Sequence, residues 1–294
     1  MTTTLPIRSI PHASPTPPDK RQALMQNPGF GKVFSDHMVT VKWNAENGWH
    51  DAELRARAPF AIDPAASVLH YAQEIFEGMK AYRTAQGIAL FRPEENARRM
   101  AQSAERMAMP AVPEELFLDA VRTLVRKDAD WVPHDDGSLY LRPFMFASES
   151  FLGVRPASEY IFCVIASPVG AYFKGGYKAV SVWVSSDYTR AAPGGTGAAK
   201  CGGNYAASLI AQAEATRNGC DQVVFLDAAE HRWVEELGGM NVCFVMDDGS
   251  LVTPPLGGTI LPGITRGSIL TLAREAGLRV EERPYSFAEW QADA

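Results

Sequence analysis

Apolar positions along the chain follow two different periods, and the switches between them mark the elements. Residues 33–44, VFSDHMVTVKWN, are rich in Val and Thr and read as a β segment. Residues 88–92, IALFR, read as a short strand. Pro93 then opens PEENARRMAQSAERMAM, with acids in its first turn and Ala97, Met100, Ala101, Ala104 and Met107 at helical spacing. Residues 113–127, PEELFLDAVRTLVRK, repeat that pattern. The stretches 138–149, SLYLRPFMFASE, and 159–169, EYIFCVIASPV, read as two strands able to pair. A Gly- and Tyr-rich stretch, 170–178, reads as a linker.

Beyond it, AVSVWVSS (179–186) predicts a strand, YAASLIAQAEATRN (205–218) a helix and DQVVFLD (221–227) a strand. MNVCFVMDDGSLVTPP (240–255) predicts a hairpin turning at Asp248-Gly249, and GITRGSILTLAREAG (263–277) a helix stopped by Gly277. Strands outnumber what simple βαβ spacing allows, so the fold class read here is α+β. No repeat or low-complexity tract interrupts it.

Composition narrows the function classes. Of 294 residues, 46% are hydrophobic and 21% charged, a globular balance, and the formal net charge of −6 argues against a nucleic-acid partner. No uninterrupted apolar run reaches the roughly 20 residues of a membrane span. Residues 1–29 hold six prolines and are expected to form a flexible or draped arm rather than a signal peptide. The four cysteines make no C-x-x-C. Cys163 and Cys243 lie in apolar runs and are expected as buried free thiols, which fits a cytoplasmic protein.

Much familiar chemistry is missing: no H-E-x-x-H, no Cys/His cluster at zinc spacing and no G-x-S-x-G, while His37, His70 and the other histidines are scattered. No metal is expected. The unusual stretch is 194–205, GGTGAAKCGGNY, with Lys200 among five glycines. A phosphate-gripping P-loop needs Gly before its lysine and Ser or Thr after it; Ala199 and Cys201 stand there instead. A nucleophilic lysine needs small neighbours, so that a planar cofactor can approach, and burial that disfavours the charged amine. Spacing alone leaves this reading open beside a solvated loop lysine.

Further segments carry a resemblance. LHYAQEIFEGMKAYR (69–83), LFRPEENARRM (90–100), SLYLRPFMFASE (138–149), KCGGNYAASL (200–209), EELGGMN (235–241) and LPGITRGSIL (261–270) follow one another in order. Together they resemble the branched-chain amino acid aminotransferases, fold-type IV pyridoxal phosphate enzymes, from about Phe30 to about residue 285. The subgroup carrying FGKVFSDHM, at 30–38 here, is the most similar.

The resemblance implies two α/β domains, a small one over 30–169 and a large cofactor-binding one over 179–294, joined by the 170–178 loop with pyridoxal 5′-phosphate between them. It implies that Lys200 is the Schiff-base lysine, that Tyr205 bonds the cofactor's phenolic oxygen and that Glu236 pairs with its ring nitrogen, Glu235 being the non-functional neighbour. Arg99 would bind the phosphate, with Arg98 turned away on the helix, and Ile264 and Thr265 would offer backbone N–H groups to the same phosphate. Phe30, Tyr71, Phe76, Tyr140 and Tyr172 would line a pocket for Leu, Ile or Val side chains. Arg142 would meet the distal carboxylate of glutamate, and Leu152 and Val154 match a loop that reaches across a homodimer.

Ping-pong transfer of an amino group to 2-oxoglutarate is therefore the expected activity. Rival readings are a D-amino acid aminotransferase or aminodeoxychorismate lyase, which FEGMKAYR and YLRP disfavour, and a catalytically dead binding homologue. The family continues into a strand and a Gly-Thr turn that contact phosphate and substrate carboxylate, whereas this sequence stops at SFAEWQADA. The expectation is either a longer reading frame or a site without those contacts.

Overall fold

The computed structural model describes residues 5–134, 136–170 and 179–293. The chain divides into two compact units, Met1–Tyr177 and Lys178–Ala294.

The first unit runs β1 (Arg8–Ser9), α1 (Pro18–Met25), β2 (His37–Asn44), β3 (Gly48–Ala56), α2 (Ser67–Tyr71), β4 (Glu74–Phe76), β5 (Met79–Thr84), β6 (Gly87–Leu90), α3 (Pro93–Arg106), α4 (Glu114–Lys127), β7 (Ser138–Ala147) and β8 (Glu159–Val169). Its eight strands form one sheet in the order β1-β3-β2-β8-β7-β5-β6, with β4 also on β7. The two long strands foreseen at 138–149 and 159–169 pair antiparallel, Tyr140 opposite Ser167 and Arg142 opposite Ile165. Opposed residues share a face, so these four side chains stand together.

Helices α3 and α4 cover the other side. Each has two glutamates in its first turn and a cationic residue in its last, which suits the helix dipole. Phe117, Val121 and Leu124 of α4 are fully buried, and the Phe117 ring stacks on Phe162 of β8 at 6.0 Å. The N-terminal arm, expected to be flexible or draped, has partners along the first unit. Arg8 and Ser9 pair in parallel with Glu53 and Leu54, and the Asp36 carboxylate accepts bonds from the Thr16 N–H and hydroxyl. Backbone groups of β3's open edge and a part-buried carboxylate thus give the arm specific partners.

The second unit holds two three-stranded sheets. The first combines β9 (Val182–Ser185), β10 (Gln222–Leu226) and β11 (Val234–Leu237) in the order β11-β10-β9. Helix α5 (Gly202–Arg217) links β9 to its parallel partner β10 and packs Ala211 and Ala215 against Val223 and Phe225. The second combines β12 (Phe244–Val245), β13 (Leu251–Thr253) and β14 (Val280–Glu282), with α6 (Ile264–Glu275) between the last two; α7 (Phe287–Asp293) follows. The predicted hairpin is β12 and β13, with Gly249 at φ +78° in its turn. One correction concerns Cys243, which is half-buried, whereas Cys163 is fully buried and its thiol is pushed up to about 12 by desolvation. No described helix is long and apolar enough to cross a membrane.

Candidate active site

In the second unit the glycine-rich stretch forms a tight loop ahead of α5. Gly197 lies where a Cβ would collide with the Thr259 carbonyl and come within 2.7 Å of the Ala191 methyl, so only glycine fits. Asn204, in the first turn of α5, clamps the loop: its amide donates to the Thr196 and Ala199 carbonyls at 2.8 Å, and its oxygen accepts from the Thr196 hydroxyl at 2.7 Å. Lys200 leaves this braced loop, and its Nζ donates to the Tyr205 hydroxyl at 2.7 Å. The solvated-lysine reading is thereby corrected: Lys200 is partly buried and held against a phenol.

Glu236 lies on β11, where Glu235 and Glu236 together oppose the single Phe225 between the Val224–Leu237 and Leu226–Val234 pairs. Such a bulge breaks strict alternation and re-aims side chains. Glu236 is only 3% exposed. Its Oε1 meets the Arg190 guanidinium at 2.7 Å and accepts the Leu261 N–H at 2.9 Å, while Oε2 accepts from Asn241 at 3.3 Å. Burial pushes its carboxyl up to about 7, opposed by Arg190 and by the charge of Lys200. Glu235 is half-buried, bonded to the Thr259 hydroxyl and raised more modestly, chiefly by burial.

Asn241 also donates to the Leu261 carbonyl at 2.9 Å and packs tightly against Gly263, the residue preceding α6. No described side chain caps that helix start, where Ile264 and Thr265 sit. The N–H groups of a helix's first turn form a ready anion site. An amine on a phenol, a buried carboxylate within its field and an uncapped helix start linked to that carboxylate through Asn241 make a donor set that fits an aldehyde cofactor with a ring nitrogen and a phosphate.

In the first unit, Arg99 is 8% exposed and donates through Nε and Nη2 to the two oxygens of fully buried Glu77, at 2.8 and 2.7 Å. Asn96 holds the same carboxylate at 2.8 Å. Arg98 instead faces solvent with Glu95. A cavity of about 380 Å³ is lined by Phe30, Gly31, Phe34, Tyr140, Arg142, Ile165, Ala166 and Ser167. Arg142 donates to the Tyr140 hydroxyl at 2.9 Å and lies over the Phe76 ring. Phe30 meets Tyr140 edge-on at 5.1 Å. Tyr71 belongs to a separate group, its hydroxyl donating to the Leu152 carbonyl. Leu152 and Val154 are 59% and 87% exposed. Tyr172 lies outside the described residues.

Arg190, Asn204, Asn241 and Glu77 were not singled out from the sequence. Asn204 and Glu77 stand inside quoted motifs, GGNY and IFEGMK, whose polar residues were the available signal. Asn241, the last residue of the quoted EELGGMN, carried the same signal and bonds Glu236 within that motif, whereas Arg190 acts through contacts distant in sequence that no local pattern shows.

The chain belongs to the class IV aminotransferases: residues 74–294 match the family model described as "Amino-transferase class IV". This class uses pyridoxal phosphate. The chain is 58% identical over 280 residues to the branched-chain-amino-acid aminotransferase of Mycolicibacterium smegmatis, covering 93% of this chain and 76% of the relative. Among solved structures, the Escherichia coli branched-chain amino acid aminotransferase is similar with a TM-score of 0.72 and 31% identity, covering 86% of this chain and 78% of that one. The branched-chain amino acid aminotransferase from Thermobaculum terrenum, in its PLP-bound holo form, is similar with a TM-score of 0.70 and 27% identity, covering 86% and 78%.

Proposed function

We propose that this chain reversibly transfers the amino group of leucine, isoleucine or valine to 2-oxoglutarate. The observation that carries the reading is the Lys200–Tyr205 pair beside buried Glu236, in a chain 58% identical to a branched-chain-amino-acid aminotransferase. Lys200, Tyr205, Glu236, the α6 residues Ile264 and Thr265, and Arg99 are the residues proposed to hold pyridoxal phosphate. When bound, that group supplies an electron-withdrawing ring that makes the substrate Cα–H acidic.

The chain's own residues supply the rest. Lys200 Nζ takes the Cα proton and later delivers it, as base and then acid. Tyr205 holds the amine by a hydrogen bond and so restricts where the proton can go. Glu236 keeps a proton-sharing carboxylate in a dry place, where its interactions are strong. The aromatic wall of Phe30, Phe76 and Tyr140 favours an aliphatic side chain. Burying a glutamate carboxylate against that wall is costly without a partner, and Arg142 is the partner proposed.

A charge-assisted bond of roughly 1.5–3 kcal/mol corresponds to about 10–150-fold in specificity. Arg142→Gln is therefore expected to lower kcat/KM for glutamate by about that factor while leucine stays within a few-fold; equal losses would rule out the role. A cytoplasmic homodimer is proposed as well, with Leu152 and Val154 on the partner-facing loop. Single half-reactions followed by the cofactor's colour test the activity: leucine, isoleucine, valine and glutamate are expected to react, and D-alanine is not. Preference for D-alanine would contradict the reading.

A further inference from the structure

We propose that Arg190 is the positioning residue of this site, holding Glu236 by one oxygen and locking the Lys200 loop and the approach to α6 to that carboxylate. The proposal deepens the functional reading above by assigning a residue that sets how Glu236 holds its proton.

Arg190 is 5% exposed and lies on the segment between β9 and the glycine-rich loop. Its Nη1 reaches three acceptors from three separate stretches: Glu236 Oε1 at 2.7 Å, the Thr259 carbonyl at 3.1 Å and the Gly197 carbonyl at 3.3 Å. Gly197 begins the turn that presents Lys200, and Thr259 lies five residues ahead of α6. One guanidinium therefore fixes the relative placement of an amine, a carboxylate and a helix start. With the Leu261 N–H also on Oε1, the ion pair and a backbone hydrogen bond converge on that oxygen, and among the described residues Oε2 keeps the longer Asn241 bond. Oε2 is thus the oxygen with acceptor capacity to spare.

The charges support the same role. The groups facing Glu236 are Arg190, Lys200 and Glu235, and Glu235 in turn feels Asp227 and Arg190. Two neighbouring carboxylates in a half-dry bulge repel, and an arginine that cannot lose its proton is the fixed counter-charge. Lys200 must give up its charge to act as a base, so it cannot serve as that constant partner. Removing Arg190 leaves a buried carboxylate facing a second one, a state it relieves by taking up a proton.

The test is an infrared titration of Glu236 in the whole, cofactor-free chain, assigned by difference from Glu236→Gln. Arg190→Met and Arg190→Gln are expected to raise the midpoint by about one pH unit or more, the effect of losing an opposite charge within about 4 Å. Arg190→Lys is expected to bring it back toward the wild-type value. Retention of pyridoxal phosphate on dialysis should fall in the Met and Gln variants and recover in part in the Lys variant. A midpoint unchanged in whichever neutral variant folds would overturn the proposal, as would a shift that Arg190→Lys does not reverse. Wild-type protein that never binds the cofactor would sink the functional reading instead, and the titration would still decide on Arg190.

Discussion

Glu236 and Glu235 are neighbours in the chain with different surroundings, and that difference is a prediction. Glu236 is buried among Arg190, Leu261 and Asn241, while Glu235 is half-buried on Thr259. Glu236→Gln is expected to leave pyridoxal phosphate bound and to slow amino-group transfer by about two orders of magnitude or more, on the order of a lost acid–base partner. Glu235→Gln is expected to change it only a few-fold. Stopped-flow measurement of the leucine half-reaction in both variants checks this, and a reversed order would move the role to Glu235. At this scale the sequence was informative where a motif encloses the residue, as in KCGGNY and VEELGG. It was silent on Arg190, because an arginine 46 residues before its carboxylate partner looks like any other. The resemblance singled out Arg99, and helix geometry only placed Arg98 about 100° away from it; Arg99 is buried and Arg98 faces solvent.

Among elements, glycine shows where the backbone itself is the constraint. Gly197 lets the Lys200 loop touch the Thr259 carbonyl, whereas Gly267, exposed within α6, has open space where a Cβ would go. Gly197→Ala is expected to destabilise the chain and weaken cofactor binding, because a backbone carbonyl must move. Gly267→Ala is expected to stabilise it by about 0.5–1 kcal/mol, the entropy and helix-propensity gain of alanine over glycine. Chemical denaturation with a cofactor-release assay separates the two; a harmless Gly197→Ala would mean the loop relaxes freely. The long elements were legible because their periods persist: α3, α4, β7 and β8 each run ten residues or more. Some shorter strands, such as β6, β9 and β10, were legible too, but β11 and β3 were not. β11 is four residues with a bulge and two glutamates, and β3 mixes His, Asp, Glu and Arg because only part of it is buried. Helix α5 starts at Gly202, before its apolar pattern begins, because the loop geometry around Asn204 sets its first turn.

For the whole molecule, the buried carboxylate ties stability to pH. Glu236 sits near 4.5 when unfolded and at about 7 when folded, so the folded state binds the extra proton between those values. Its contribution is fully present below about 4.5 and is lost as pH rises through about 7. Thermal unfolding of cofactor-free protein is therefore expected to show wild type losing stability relative to Glu236→Gln over that window; parallel profiles would contradict it. The chain divides into two units at residues 177 and 178, within the Gly- and Tyr-rich stretch 170–178. What the sequence could not show is which distant segments close around Lys200, since residues 190, 236, 241 and 259–261 meet only through the fold. The central claim is that Lys200 is the residue to which the cofactor attaches, and it can be tested directly. The protein is saturated with pyridoxal phosphate, reduced with borohydride, digested and mapped by mass spectrometry. The account predicts the reduced cofactor on the peptide containing Lys200 and its absence from every other lysine; label on a different lysine, or none at all, would contradict it.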